Sequence, residues 1–170
     1  MTLFGALSLV ACANARTSDA PSATNTMNET RAASVDESAA VEALLEHLHT
    51  TASLADGALY FGCFTPDAVF VGTDATERWT LDQFRAYAEP FFARGQGWTY
   101  TALERHVAFA AAGDTAWFDE RLWNEKYGEA RGSGVCVQTA EGWRVAHYVL
   151  SFPIPNDLAA EFTSRIRTGS

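Results

Sequence analysis

Polar side chains recur along the last three strands that the sequence predicts, at 116–123, 129–139 and 143–152. Asp119, Ser133 and His147 supply a carboxylate, a hydroxyl and an imidazole, and such groups transfer protons in many enzymes. If Asp119 pairs with Ser133 and Ser133 with His147, the three side chains form one row, because directly opposite residues project to one face. His147 would then be a general base whose tautomer Asp119 fixes. The alternative is a hydrogen-bonded histidine that only holds the sheet.

Two arginines are expected in the next row of the same face. Arg121 and Arg131 repel each other unless an anion or a carboxylate lies between them. A bound carboxylate ligand would satisfy both guanidinium groups. A salt-bridge ladder with Asp119 or Glu129, which has no functional content, is the other interpretation.

Ser133 does not make a hydrolase, because a strand serine lacks the strained turn and the oxyanion donors that acyl transfer requires.

The chain has five tryptophans, which is many for one domain. Trp79 and Trp143 are expected to fill the core, and Trp79 is also a candidate ligand contact. Trp117 or Trp123 would line a pocket for a flat, apolar ligand or pack at a dimer interface. Val135 and Val145 are expected beside Trp117, which would place an apolar wall next to the polar row.

Composition excludes several classes of function. The chain has 170 residues, a formal net charge of -9 and no cluster of Lys and Arg, so a basic face for nucleic acid or anionic membranes is not expected. No apolar run reaches the length of a transmembrane helix. His47 and His49 lie two positions apart on a predicted helix and point to different faces, so we predict no metal site. No cofactor is expected.

The amino terminus resembles the signal peptide of a bacterial lipoprotein. An apolar run over 3–11 ends in Leu-Val-Ala before Cys12, although no Lys or Arg precedes it. The resemblance predicts a signal segment at 1–12, lipidation of Cys12 and a flexible linker at 13–34. The protein would then be exported and face the periplasm or cell exterior, with the lipid as its one membrane contact. The alternative is a disordered leader on a cytoplasmic protein.

Cys63 and Cys136 are predicted to be buried thiols rather than a disulfide.

The predicted elements place helices before a run of strands. A capping box at Ser34 and Glu37 predicts the first helix, and a second box at Thr80 and Gln83 opens a helix that ends near residue 93. Between them lie a short helix at 58–63 and a strand at 67–72, and a further strand follows at 98–111. This order predicts an α+β domain over 35–157, with a helical tail at 158–170.

Several segments resemble the SnoaL-like branch of the nuclear transport factor 2-like superfamily. They are GTD at 72–74, ERWT at 77–80, AWFDE at 116–120, RGSG at 131–134 and GWRVAHYVLSFP at 142–153. The resemblance implies a cone-shaped, curved antiparallel sheet around about three helices, a pocket at the open end and a homodimer that packs through the outer face. It carries over no catalytic residue, because a shared fold does not choose an activity.

Two classes of function are open at this stage. The first is a pocket for a small apolar, carbonyl-bearing or carboxylate-bearing ligand, with a role in binding or association at the cell envelope. The second is an isomerase, cyclase or dehydratase without a cofactor, in which His147 and Asp119 relay a proton. The lipid tether favours the first class, and the polar row favours the second.

Overall fold

The computed structural model describes residues 23–169, and side chains from residue 35 onward. The helices are α1 (Ala23–Ser53), α2 (Gly57–Gly62), α3 (Leu81–Phe92) and α4 (Ala159–Thr168). The strands are β1 (Phe64–Val71), β2 (Arg78–Thr80), β3 (Thr101–Phe109), β4 (Thr115–Asn124), β5 (Gly128–Thr139) and β6 (Gly142–Ser151). The predicted signal segment at 1–12, with Cys12, lies outside the described residues.

The six strands form one curved sheet in the order β2-β1-β6-β5-β4-β3. The α+β class is confirmed, but the sheet is mixed rather than wholly antiparallel, because β1 runs parallel to β6. Parallel neighbours need a long crossover, and here α3 and four strands, β2 to β5, lie between β1 and β6 in the chain. The three terminal strands, β4 to β6, form the antiparallel meander that the sequence predicts.

The first three helices cover one face of the sheet, which we call the inner face. Alternate residues of β4, including Phe118 and Leu122, are buried there, whereas the residues between them are exposed on the outer face. The amphipathic spacing of α1 places Val41, Leu45 and Leu48 in the same core. This alternation decides which polar side chains lie on the inner face.

The two predicted capping boxes have different outcomes. At α3, the Thr80 hydroxyl accepts the backbone N–H of Gln83, and the Gln83 side chain accepts the N–H of Thr80, as predicted. At α1, the helix already begins at Ala23, so Ser34 lies within it and the predicted start is wrong. The upstream residues include Ala, Met, Glu and Arg, which favour helix and therefore let α1 extend past the box. The short strand β2 was not predicted.

The register of β6 differs from the prediction. Asp119 lies opposite Ser133 as expected, but Ser133 lies opposite Val149, and His147 lies opposite Val135. The turn pairs Thr139 with Gly142, which shifts the pairing by one residue, and a bulge on β6 between Val145 and His147 shifts it by one more. An even shift keeps side chains on the same face, so His147 remains on the side of Ser133 but one row away.

Both described cysteines are buried free thiols, as predicted. Burial raises the pKa of Cys63 to about 11 and that of Cys136 to about 12. Neither thiol is therefore a nucleophile near neutral pH, since the thiolate is the reactive form.

Candidate functional site

The polar row predicted from the sequence lies on the outer face of the sheet. Asp119 is exposed, and Ser133 and His147 are partly exposed. No hydrogen bond joins any two of these three side chains in the described part of the chain. The outer face thus carries all three groups but does not assemble them into a proton relay.

The two arginines of the prediction also lie on the outer face. Arg121 forms ion pairs of 3.2 Å with Glu104 and of 3.2 Å with Glu129, which is the salt-bridge arrangement. Arg131 lies opposite Arg121, and both line a depression of about 340 Å³ that Asp119 also lines. Because Arg121 already has two carboxylate partners, little of its charge is left for a ligand.

The tryptophans divide between the two faces. Trp117 and Trp123 are 51% and 44% exposed on the outer face. Trp143 is buried in the core, and its indole N–H donates to a carboxylate oxygen of Glu37. Trp79 and Trp98 pack partly buried against the core at the open end of the inner face. Trp79 lines a cavity at this end, whereas Trp117 lies on the outer face.

The inner face contains a buried ionic cluster around Glu120 that we did not predict. His49 Nε2 lies 2.8 Å from Glu120 Oε1, and the Tyr148 hydroxyl donates to the same oxygen at 2.9 Å. Arg105 Nε donates to Glu120 Oε2 at 2.9 Å, and its Nη2 lies 2.9 Å from that oxygen. These four residues, Glu120, His49, Tyr148 and Arg105, are called the Glu120 cluster below.

The geometry of the Glu120 cluster favours an ionised carboxylate. Burial raises the pKa of Glu120, but the hydrogen bond and charge of His49 and the charge and hydrogen bond of Arg105 together lower it below the ordinary value. Burial and the neighbouring Glu120 charge raise the pKa of Tyr148, so its hydroxyl stays protonated. In the neutral form of the His49 ring, an ionised Glu120 would favour the tautomer with its proton on Nε2, which leaves Nδ1 as the proton acceptor.

Gly132 makes room for the Glu120 cluster. It lies opposite Glu120 on β5, and a Cβ at this position would collide with the Tyr148 hydroxyl and the Glu120 side chain. The glycine that the sequence places between Arg131 and Ser133 is therefore required by a close approach of side chains.

A signal for the Glu120 cluster was present in the sequence. Ala116, Phe118, Glu120 and Leu122 alternate along β4, and a carboxylate in an otherwise apolar alternation indicates a buried partner. His49 similarly follows Leu45 and Leu48 on the buried side of α1.

A cavity of about 280 Å³ opens at the end of the inner face. Its volume lies near the lower end of the range for small-molecule pockets. A narrower space of about 20 Å³ continues inward and is lined by His49 and Tyr148. Both are lined by Phe70, Trp98, Tyr100 and Leu150. The cavity thus leads from solvent toward the Glu120 cluster.

Parallel aromatic rings line this path. The Phe70 ring stacks on Phe84 at a centroid distance of 3.9 Å and an angle of 15°, and on Tyr148 at 5.5 Å and 6°. Trp79 is parallel to Phe84 at 5.7 Å and 6°, and stacks on Tyr87 at 4.9 Å. Phe70 and Phe84 are buried against each other, so a flat ligand at this end would contact the partly buried Trp79 and the exposed Tyr87.

The described residues offer no site for a metal and no membrane span. They contain no group of three or more His, Cys, Asp or Glu side chains that could hold a metal ion. No helix within them is long and apolar enough to cross a membrane.

Comparison with known proteins supports the fold. The family model of the SnoaL-like domain matches residues 41–155. A structure from Novosphingobium aromaticivorans, named as a candidate aromatic ring hydroxylase, is 19% identical with a TM-score of 0.61, covering 71% of this chain and 92% of that one. A structure from Streptomyces avermitilis, named as a candidate dehydratase of the nuclear transport factor 2-like family, is 13% identical with a TM-score of 0.57, covering 68% and 95%.

A third similar structure has no assigned function. It is a nuclear transport factor 2-like protein from Pseudomonas putida, 17% identical with a TM-score of 0.56, covering 73% of this chain and 91% of that one. No curated protein matches this chain. At these identities the likeness concerns the fold alone, and the activity must be argued from the cavity and its residues.

Proposed function

The chain belongs to the SnoaL-like family, and from this premise we propose that it binds a small, flat, largely apolar molecule in the inner cavity. The observation that carries the proposal is the set of parallel rings, Phe70, Phe84, Trp79 and Tyr87, beside a cavity of about 280 Å³. A ligand that stacks on such a wall gains the burial of its faces together with ring contacts of about 0.5–1.5 kcal/mol each.

Replacement of Trp79 by Leu is expected to weaken the binding of 2-naphthol, a flat probe, by about tenfold, because one stacking surface is lost. Isothermal titration calorimetry measures the affinity. Trp117→Leu is the matched control, since Trp117 is exposed on the outer face, and its affinity should equal that of the wild type. Equal weakening by both substitutions, or by the control alone, would contradict an inner binding site.

An enzyme without a cofactor is the second candidate, and the Glu120 cluster favours it. Glu120 orients His49 through Nε2, and both His49 and Tyr148 line the inner end of the cavity. His49 would accept a proton from carbon. The sequence suggested the same kind of chemistry, but with His147 and Asp119, which lie on the outer face.

A proton-abstraction probe separates the two histidines. In 5-nitrobenzisoxazole, removal of the ring C–H proton by a base breaks the N–O bond and yields a nitrile and a phenolate. His49→Gln should lower the rate of this reaction by about a hundredfold, whereas His147→Gln should leave it unchanged. The phenolate absorbance gives the rate. If His147→Gln lowers the rate and His49→Gln does not, the reacting base lies on the outer face, and the assignment to His49 is contradicted.

We further propose a homodimer through the outer face. Trp117 and Trp123 are large and exposed there, and exposed aromatic side chains on a sheet are typical of interface centres. Trp117→Glu should convert the dimer to a monomer in sedimentation equilibrium, because a charge at the centre of an interface is costly. A wild-type monomer at micromolar concentration would contradict this proposal.

Attachment to the cell envelope through a lipid on Cys12 is also a proposal. Its support is the apolar run before Cys12, which resembles a lipoprotein signal. Cys12→Ser should move the protein from the membrane fraction to the soluble fraction. A wild-type protein that is soluble with residues 1–11 intact would contradict it.

A further inference from the structure

We propose that the inner cavity selects an organic cation, namely a flat apolar molecule that bears an ammonium group. This inference rests on the proposed ligand-binding function and names the chemical class of the ligand. Eight of the residues that line the cavity are aromatic, and Glu77 is the only side chain among them that is charged at neutral pH. Lys, Arg and His are absent from the lining.

The carboxylate of Glu77 is held in place by the loop between β1 and β2. The backbone N–H of Gly72 donates to the Glu77 carbonyl at 2.8 Å, and the Glu77 N–H donates to the Asp74 carbonyl at 3.0 Å. Glu77 Oε2 accepts the Asp74 N–H at 3.2 Å. A Cβ at position 72 would collide with the Glu77 side chain, so glycine is required for this approach. The loop fixes the acid against the cavity rather than leaving it in solvent.

Glu77 has no cationic partner among the residues that the structure describes. Among the ion pairs of the described residues, none includes Glu77, and Oε1 accepts no hydrogen bond from those residues. Its side chain is half-buried, so its charge is less screened by water than that of a fully exposed acid. A ligand ammonium would supply the missing counter-charge.

The aromatic lining favours the same sign of charge. The face of an aromatic ring is electronegative and attracts cations within about 6 Å of its centroid. One ring of the lining, that of Tyr127, already has a cation beside it, because Lys126 Nζ lies 4.7 Å from its centroid. Trp79, Trp98 and Tyr100 offer further ring faces in the cavity. Tryptophan gives the strongest cation–π attraction of the three aromatic residues.

A carboxylate-bearing ligand fits this cavity poorly. Its charge would lie near Glu77 with no cation among the lining residues to offset the repulsion. The arginines that suggested a carboxylate ligand, Arg121 and Arg131, lie on the opposite face of the sheet.

Three probes of one size test the sign of the charge. They are benzyltrimethylammonium, its neutral isostere neopentylbenzene, and the anion phenylacetate. In calorimetric titration of the full chain, benzyltrimethylammonium should bind at least about tenfold more tightly than neopentylbenzene, and phenylacetate least tightly. Glu77→Gln should remove most of this preference while leaving the affinity for neopentylbenzene unchanged. Thermal unfolding of each variant establishes that it is folded.

Glu89→Gln is the matched control, because it makes the same change of charge on α3 at a residue that does not line the cavity. The Glu89→Gln variant should prefer benzyltrimethylammonium over neopentylbenzene by the same factor as the wild type does. Equal affinity for the cation and its neutral isostere, or a preference that survives Glu77→Gln, would overturn the inference while leaving the proposed function intact. Binding of none of the probes, nor of 2-naphthol, would overturn both. Depletion of the protein by phosphatidylcholine vesicles without binding of free benzyltrimethylammonium would also overturn it.

Discussion

Replacement of Glu120 by Gln is expected to lower the free energy of unfolding by about 3 kcal/mol, because the buried Arg105 guanidinium then keeps only the exposed Glu46 carboxylate, 3.9 Å from Nη2, as a counter-charge. The Glu120 side chain is 0% exposed and that of Arg105 is 12% exposed, so water cannot replace the lost interaction. Gln retains the shape of the side chain and one acceptor oxygen, which separates loss of charge from loss of volume. Equilibrium unfolding in urea at pH 7 measures the change.

The stabilisation that Glu120 contributes to the folded state should decrease as the pH falls. The folded-state pKa of Glu120 is lowered, so its stabilising effect is fully present above the unfolded-state pKa of about 4.3 and is lost as pH falls through the folded-state pKa. The difference in stability between the wild type and Glu120→Gln should therefore shrink as pH falls below about 4.

The adjacent residue provides the control for this prediction. Asp119→Asn removes a carboxylate one position away on the same strand, but on the exposed outer face. Its effect on the free energy of unfolding should lie within about 0.5 kcal/mol, as for other surface substitutions. If Asp119→Asn lowers the free energy of unfolding more than Glu120→Gln does, the polar row on the outer face, rather than the Glu120 cluster, stabilises the sheet.

Replacement of Phe84 by Ala is expected to lower the free energy of unfolding by about 3–5 kcal/mol, since it opens a void in the core. Phe84 is 2% exposed, and its ring packs against Tyr60, Phe61, Phe70 and Trp98. Calorimetric unfolding should show a lowered Tm. Domains of this size are stable by only about 5–15 kcal/mol, so the variant would lose a large part of that margin.

Phe91→Ala on the same helix is the matched control. Phe91 is 38% exposed, and it contacts Tyr87 and the guanidinium of Arg94 rather than the centre of the core. The loss there should be less than about 1 kcal/mol, because little apolar area is removed from the interior. Equal losses at the two positions would mean that Phe84 is not central to the core.

The sequence predicted the elements well because their signals are local. The capping box at Thr80 and Gln83 sets the start of α3, and the alternation along β4 sets which residues face inward. These features depend on neighbours within a few residues. The pairing of Asp119 with Ser133 followed from the turn between β4 and β5, which is also local.

The site was harder to predict because it depends on distant residues and on one bulge. His49 and Glu120 are 71 positions apart in the chain, and only the packing of α1 on the sheet brings them together. The bulge on β6 places His147 one row from Ser133, and no sequence signal specified it. The adjacent acids Asp119 and Glu120 face opposite sides of the sheet. The predicted row, which includes Asp119, therefore lies on the outer face, and the Glu120 cluster lies on the inner face.

The most direct test of the inner cavity as the ligand site is a titration of the protein, labelled with ¹⁵N at its tryptophan indoles, with 2-naphthol. Trp79 and Trp98 line the cavity, whereas Trp117 and Trp123 are exposed on the outer face. We expect the indole N–H signals of Trp79 and Trp98 to shift with saturation, while those of Trp117 and Trp123 stay in place. Shifts of Trp117 and Trp123 without shifts of Trp79 and Trp98 would contradict the proposed function.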